Sequence, residues 1–159
     1  MKLGIIGGLG PLATAYFYEL LIEMSDVNCD QEHLEVVIHS CPSIPDRTQF
    51  ILNQSNKNPV VPMIEVGKGL IHQGCDLIAI PCITAHYFHD GLSQSLSKPI
   101  VHLVEELANF LQRNNYSKVG IMATDGTIVS QLFQKELNRY DIQCFVPDCS
   151  FQKDVMYII

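Results

Sequence analysis

The chain has 159 residues, 47% of them hydrophobic and 17% charged, which excludes a disordered polypeptide and fits one domain, or one domain and part of another. Ten Lys and Arg against 17 Asp and Glu give a net charge of −7, which argues against a nucleic-acid partner or an anionic membrane surface, because both require clustered cations. No stretch of about 20 uncharged apolar residues is present, so no membrane-spanning helix is predicted.

Strands and helices alternate along the chain. The segment 2–7 (KLGIIG) predicts a short buried strand, and Pro11 fits the first turn of a helix that runs to about Met24. Further strands are predicted at 34–40, 76–81, 100–103, 118–123 and 142–146, and further helices just after Thr48, at 60–73, 84–96, 105–114 and 127–140, and in the last nine residues. This alternation predicts an α/β fold, with a parallel-sheet three-layer domain at 1–100 and part of a second, similar α/β domain at 101–159.

An internal repeat supports two related α/β units. Lys2-Leu-Gly-Ile-Ile resembles Lys118-Val-Gly-Ile-Met at an offset of 116 residues, and chance similarity between two strand–helix units is the alternative. The repeat argues against a signal peptide at the N-terminus, since a similar segment lies deep inside the chain. A full second copy would extend past residue 159, so the chain is expected to be truncated or a reduced variant.

A glycine cluster follows the first predicted strand. Gly8, Gly10 and Ala13 satisfy the G-x-G-x-x-A pattern of a dinucleotide-binding turn. However, the second strand lacks the terminal acidic residue that would hold a ribose, and Pro11 removes one N–H from the turn. We therefore favour a tight strand–helix turn, or a nest of backbone N–H groups that binds a small carboxylate.

Cys82 stands out among the cysteines because it follows a predicted buried strand and precedes a predicted helix. Ligands bind at this edge of parallel sheets, and a helix N-terminus favours thiolate over thiol. The alternative is a small, buried, unreactive side chain. The six cysteines contain no CxxC pair and no disulfide framework, which predicts free thiols in a reducing, cytoplasmic setting.

The same segment contains a weak metal-binding pattern. Cys82, His86 and His89 form C-x3-H-x2-H, but no fourth ligand is evident and the spacing is not that of ordinary zinc sites, so no metal is predicted.

Arg47 follows the second predicted strand and offers a planar donor pair that suits a carboxylate. Asp46 could orient Arg47 or cap the next helix, which would leave Arg47 solvated. Loops after three strands thus bring a thiol, a guanidinium and backbone N–H groups to one edge. That set suits a small anionic substrate, with the thiolate as nucleophile or base.

Four motifs, GGLGPLAT, IPDRT, PCITAH and MATDGTIVS, span essentially the whole chain in order. Together they resemble the aspartate/glutamate racemase family. The resemblance implies a pseudo-symmetric pair of α/β domains with the active site between them. It also implies racemisation of aspartate or glutamate without pyridoxal phosphate or metal, in which one cysteine removes the α-proton and a second returns a proton to the opposite face.

The resemblance assigns the site residues by position. Cys82 matches the first catalytic cysteine, and the implied substrate-binding residues are Gly10, Arg47, Thr48, Ile83, Thr84, Ala85 and Thr127. Ile83 stands where the family usually has Asn, and Asp125 where it usually has Thr. No other cysteine of the chain matches the second catalytic one, which the repeat would place at position 198, so the chain is expected to be poorly active.

Two other functions stay open: a single-cysteine relative, such as a decarboxylase or a maleate-type isomerase, and a non-catalytic fragment that binds a small carboxylate. The expected partner is a small-molecule amino-acid substrate, with no cofactor, no nucleic acid and no membrane. A homodimer is the open alternative to a single chain.

Overall fold

A computed structural model describes residues 1–159, with five strands and eight α-helices. The strands are β1 (Lys2–Gly7), β2 (Glu35–Ser40), β3 (Leu77–Ala79), β4 (Lys118–Gly120) and β5 (Gln143–Phe145). The helices are α1 (Pro11–Glu23), α2 (Arg47–Ile51), α3 (Val60–His72), α4 (His89–Ser95), α5 (Leu103–Arg113), α6 (Asp125–Ser130), α7 (Leu132–Asn138) and α8 (Cys149–Ile158). Short 3-10 helices cover Asp30–Glu32 and Ile83–Phe88.

Residue packing divides the chain into two compact units. The first comprises Met1–Pro45, Pro59–Cys82 and Phe88–Val101, and the second comprises Asp46–Asn58, Ile83–Tyr87 and His102–Ile159. The division into domains at 1–100 and 101–159 stays a prediction. Packing differs from it in two short segments that join the second unit, because α2 packs on α6 and the hydroxyl of Thr84 bonds to side chains there.

In the first unit, three parallel strands form one sheet in the order β2-β1-β3. The central strand β1 is buried from Leu3 to Gly7, as expected for a parallel strand covered on both faces. The core groups Leu3, Ile5 and Ala79 with apolar side chains that include Phe17 of α1. The parallel register brings the carboxyl ends of all three strands to one edge of the sheet.

In the second unit, β4 and β5 pair in parallel. Its core comprises the buried side chains Val104, Ala108, Leu111, Phe133, Leu137 and Ile142, most of which come from α5 and α7. The predicted α/β class with parallel strands is therefore confirmed. The longest helices have 13 residues, and none combines the length and the apolar character needed to cross a bilayer.

Three predicted elements differ from the structure. The pattern predicts a strand at 100–103, but Ile100 makes only an isolated bridge, and α5 begins at Leu103 where the His102 ring caps the helix. The helix predicted at 84–96 is a 3-10 helix followed by α4. The helix predicted at 127–140 begins at Asp125, since Thr124 caps it, and breaks at Gln131, whose φ is 56°.

Burial raises the pKa of the Cys75 and Cys144 thiols above their ordinary value of 9.0. In the unfolded chain both thiols lose their protons near that ordinary value, whereas in the folded chain they retain them to higher pH. The unfolded state therefore binds fewer protons in this range, and the free energy of unfolding falls as the pH rises.

We expect the urea midpoint to drop between about pH 8 and about pH 10, and the drop to be smaller in Cys75→Ala. Cys29→Ala is the matched control, because Cys29 is exposed. Equal pH slopes for the parent chain and Cys75→Ala would contradict the assignment.

Candidate functional site

Two cysteines and a glycine turn lie at the carboxyl edge of the first unit's sheet. The turn at Gly8–Gly10 follows β1, Cys41 follows β2, and Cys82 follows β3 after two further residues. Because β1 is the central strand, the glycine turn lies between the two loops that carry the cysteines. Only Cys82 was predicted from the sequence, although Cys41 also stands directly after a predicted strand.

The glycine turn is held by Thr14, a buried residue of α1. The Gly8 N–H donates to Thr14 Oγ1 at 2.9 Å, and the Thr14 hydroxyl donates to the Gly10 carbonyl oxygen at 3.0 Å. One backbone donor of the predicted carboxylate nest is therefore already occupied, which favours the tight turn at Gly8. Gly10 is exposed, and a Cβ built on it would meet no atom within 4 Å, although its carbonyl oxygen is occupied by Thr14.

Cys82 is partly exposed, and its N–H donates to the carbonyl oxygen of Ile80 at 2.7 Å. The element that follows is a six-residue 3-10 helix, so Cys82 does not precede the α-helix that the pattern predicts. Cys41 is also partly exposed, and its Sγ lies 3.4 Å from Ser43 Oγ. Both thiols are thus accessible at the edge where parallel sheets bind ligands.

Three threonine hydroxyls form a closed cluster in the second unit. Thr84 Oγ1 lies 2.9 Å from Thr124 Oγ1 and 3.0 Å from Thr127 Oγ1, and the last two are 3.1 Å apart. Thr84 and Thr127 are buried, with 7% and 2% of their surface exposed. These two residues were predicted from the sequence, whereas Thr124, the N-cap of α6, was not; a threonine before a helix was the available signal.

The cluster has three hydroxyl protons and three hydrogen bonds between the hydroxyl oxygens, so each hydroxyl can donate one hydrogen bond within the cluster. A ligand carboxylate would accept a hydrogen bond from one hydroxyl, which would then lose its own contact within the cluster. A ligand ammonium would instead bind a lone pair and leave the cluster closed.

Arg47 and Thr48 begin α2, which lies against α6. Asp46 caps α2, since its carboxylate accepts the N–H of Gln49 at 2.7 Å, so the capping role for Asp46 is the one the structure shows. A Cβ built on Gly126 would come within 3.0 Å of the Thr48 Cα, so glycine permits this close approach. Arg47 is partly buried at the start of the helix.

Six of the eight predicted site residues belong to the second unit: Arg47, Thr48, Ile83, Thr84, Ala85 and Thr127. Gly10 and Cys82 belong to the first. Ile83 packs against the apolar core of the second unit, and Ala85 is fully buried. The apolar side chain at position 83 thus contributes to packing where an amide would offer polar contacts.

The two histidines of the C-x3-H-x2-H pattern have other neighbours. The buried His86 ring meets the ring of His102 edge to face, with centroids 5.8 Å apart. The His89 Nε2 lies 3.2 Å from the carbonyl oxygen of Ile100. No group of three His, Cys, Asp or Glu side chains in the chain is arranged to hold a metal ion.

Comparison with known proteins decides the family, since residues 6–159 match the model of the Asp/Glu/Hydantoin racemase family. The chain belongs to this family. Among curated relatives, this racemase-family chain is 30% identical over 139 residues to the broad specificity amino-acid racemase RacX of Bacillus subtilis (strain 168). The matched region covers 85% of this chain and 60% of RacX. The resemblance to aspartate/glutamate racemases is thereby confirmed.

Solved structures of aspartate racemase type share the fold. The Picrophilus torridus aspartate racemase is 30% identical with a TM-score of 0.87, over 98% of this chain and 65% of that one. An aspartate racemase homologue from Pyrococcus horikoshii OT3 is 25% identical with a TM-score of 0.81, over 99% of this chain and 69% of that one. The racemase-family chain thus spans 60% of the curated relative and 65% of the first solved structure.

Proposed function

We propose that the chain binds a small α-amino acid, aspartate or glutamate, and that the Cys82 thiolate removes its α-proton without a cofactor. The observation that carries the proposal is the position of Cys82, which lies at the carboxyl edge of the parallel sheet and two residues before the buried Thr84. A base must reach the proton it abstracts, and nearby donors must stabilise the charge that develops on the substrate carboxylate.

We assign the binding role to Arg47, Thr48, the threonine cluster and the backbone at Gly10, Ile83 and Ala85. A guanidinium can form two parallel hydrogen bonds with a carboxylate, which fixes both position and orientation. The cluster hydroxyls supply neutral donors or acceptors for the rest of the amino acid. A guanidinium together with neutral hydroxyl and backbone groups suits a substrate with one ammonium and two carboxylate groups.

Complete racemisation requires a second acid on the opposite face of the α-carbon. Cys82 serves one face, and the repeat places no second cysteine of this kind within residues 1–159. We propose that the second acid comes from outside these residues, which is consistent with relatives that extend well beyond the matched region.

The presence of one cysteine at a family catalytic position also keeps the single-cysteine chemistry as a second candidate. The test is to incubate the chain in deuterium oxide with each enantiomer of aspartate and glutamate and to follow the α-proton by NMR. Loss of the α-proton signal supports the racemase-type function. Carbon dioxide release from an added dicarboxylic acid, or isomerisation of maleate, would favour the second candidate instead.

Substitution of Arg47 by lysine tests the carboxylate site. A point charge cannot replace two parallel hydrogen bonds, so we expect Arg47→Lys to weaken binding of aspartate and glutamate by about 1–3 kcal/mol in calorimetry. Arg113→Lys is the matched control, because Arg113 is exposed at the end of α5. Unchanged affinity in Arg47→Lys would remove Arg47 from the site.

A further inference from the structure

Helix α8 contacts the loop that carries Thr124. The Gln152 Nε2 group donates to the Ala123 carbonyl oxygen and to Asp125 Oδ1, both at 2.9 Å. The Asp125 N–H donates to the Met156 sulfur at 3.3 Å. These contacts hold the two neighbours of Thr124 on either side.

The rotation of α8 about its axis is fixed by its own cap and core contact. Asp148 Oδ1 accepts the N–H groups of Ser150 and Phe151 at 2.9 and 2.8 Å, which starts the helix. Val155 is buried, and Gln152 and Met156, four residues apart, share a face of the helix. The helix therefore presents both contacts to the loop together.

The orientation of the Gln152 side-chain amide is set by the two hydrogen bonds that its NH2 group donates. Both partners of Nε2 are oxygen acceptors, whereas the buried Oε1 has no hydrogen-bond partner. A rotated amide would place Oε1 against the same two acceptors, which would be repulsive. The side chain thus makes its two donor contacts although its own oxygen is left unsatisfied.

We propose that Gln152 is a positioning residue, which holds the start of α6 and the residue before its cap, 123–125, so that Thr124 keeps Thr84 and Thr127 in place. In the pair of Asp125 and Gln152, the Asp125 carboxylate accepts a hydrogen bond from the Gln152 amide of α8. The consequence for substrate rests on the proposed function, because Thr84 and Thr127 are the residues proposed to bind the amino acid. The effect on the cluster itself does not depend on any substrate.

Gln152→Glu tests the proposal, because it removes both donors and sets a second carboxylate against Asp125. In the free chain we expect the Thr127 amide, which donates to Thr124 Oγ1 at 3.4 Å, to exchange with solvent at least about tenfold faster, and the methyl NMR signals of the three threonines to shift. The double variant Gln152→Glu/Asp125→Asn restores the contact with position 125 but not the one with the Ala123 carbonyl oxygen, so it should recover part of the protection. Gln112→Glu, at an exposed position of α5, is the matched charge control and should behave as the parent.

The outcomes separate the two proposals. Parent-like protection of Thr127 in Gln152→Glu, or no recovery in the double variant, would overturn the positioning role. If Gln152→Glu does not fold by circular dichroism, Gln152→Met removes the donors without adding charge, and the same Thr127 readout decides. If the parent chain does not exchange the α-proton but Gln152→Glu disturbs the threonine cluster, the positioning role is supported and the proposed function is rejected. If the parent chain does exchange the α-proton, Gln152→Glu should slow that exchange at least about tenfold.

Discussion

In deuterium oxide, the 159-residue chain is expected to exchange the α-proton of aspartate or glutamate while the configuration at the α-carbon is retained. In the proposed mechanism, Cys82 removes the proton from one face and returns a solvent deuteron to that same face. Inversion needs an acid on the other face, and one acid–base group typically contributes about 10²–10⁴-fold. We therefore expect inversion to lag behind exchange by about that factor, as measured by NMR for exchange and by optical rotation for inversion.

Cys82→Ser should lower the exchange rate by a similar factor, about 10²–10⁴-fold, because a serine hydroxyl is a far weaker acid and supplies almost no anionic base at neutral pH. Cys41→Ser is the informative control, since Cys41 lies at the same edge of the sheet. Retained exchange in Cys41→Ser with loss in Cys82→Ser assigns the base. Inversion as fast as exchange in the parent chain would contradict the one-face mechanism.

Gly8→Ala is expected to cause the largest loss of stability in the glycine turn. Gly8 has a φ of +84°, a left-handed conformation that costs an L-residue about 1–2 kcal/mol. Its added Cβ would also overlap the backbone of Cys41, including the carbonyl carbon at 2.7 Å. Overpacking of this kind costs about 1–3 kcal/mol, so we expect the free energy of unfolding to fall by about 3 kcal/mol in urea titrations.

Gly10→Ala provides the matched control within the same turn. Gly10 has a φ of −90°, and a Cβ there meets no atom within 4 Å, so we expect a change in stability of less than about 1 kcal/mol. If both variants lose the same stability, the strain at Gly8 is not the cause.

The strands of the first unit's sheet were predictable because each is encoded by a short, continuous stretch of sequence. Apolar runs bounded by turn residues predict β1, β2 and β3, and the parallel order that follows from intervening helices places Cys82 at the carboxyl edge. The position of Arg47 after the second predicted strand made it a candidate carboxylate ligand, and the resemblance to the family then assigned it that role.

The threonine cluster was only partly predictable, since its contacts are distant in the sequence. Thr84 is separated from Thr124 by 40 residues and from Thr127 by 43, and no periodic pattern encodes such a contact. The helix break at Gln131 was missed for another reason. A left-handed backbone at a residue other than glycine leaves no mark in the pattern of apolar positions.

The path of the chain limits how its parts could be exchanged between proteins. The polypeptide passes from one unit to the other five times, and the second unit takes Asp46–Asn58 and Ile83–Tyr87 from within the sequence of the first. A graft of residues 102–159 onto another protein would therefore lack α2, which carries Arg47 and Thr48, and would leave Thr124 and Thr127 without the hydroxyl of Thr84. Recombination that preserves the candidate site must transfer the interleaved segments together.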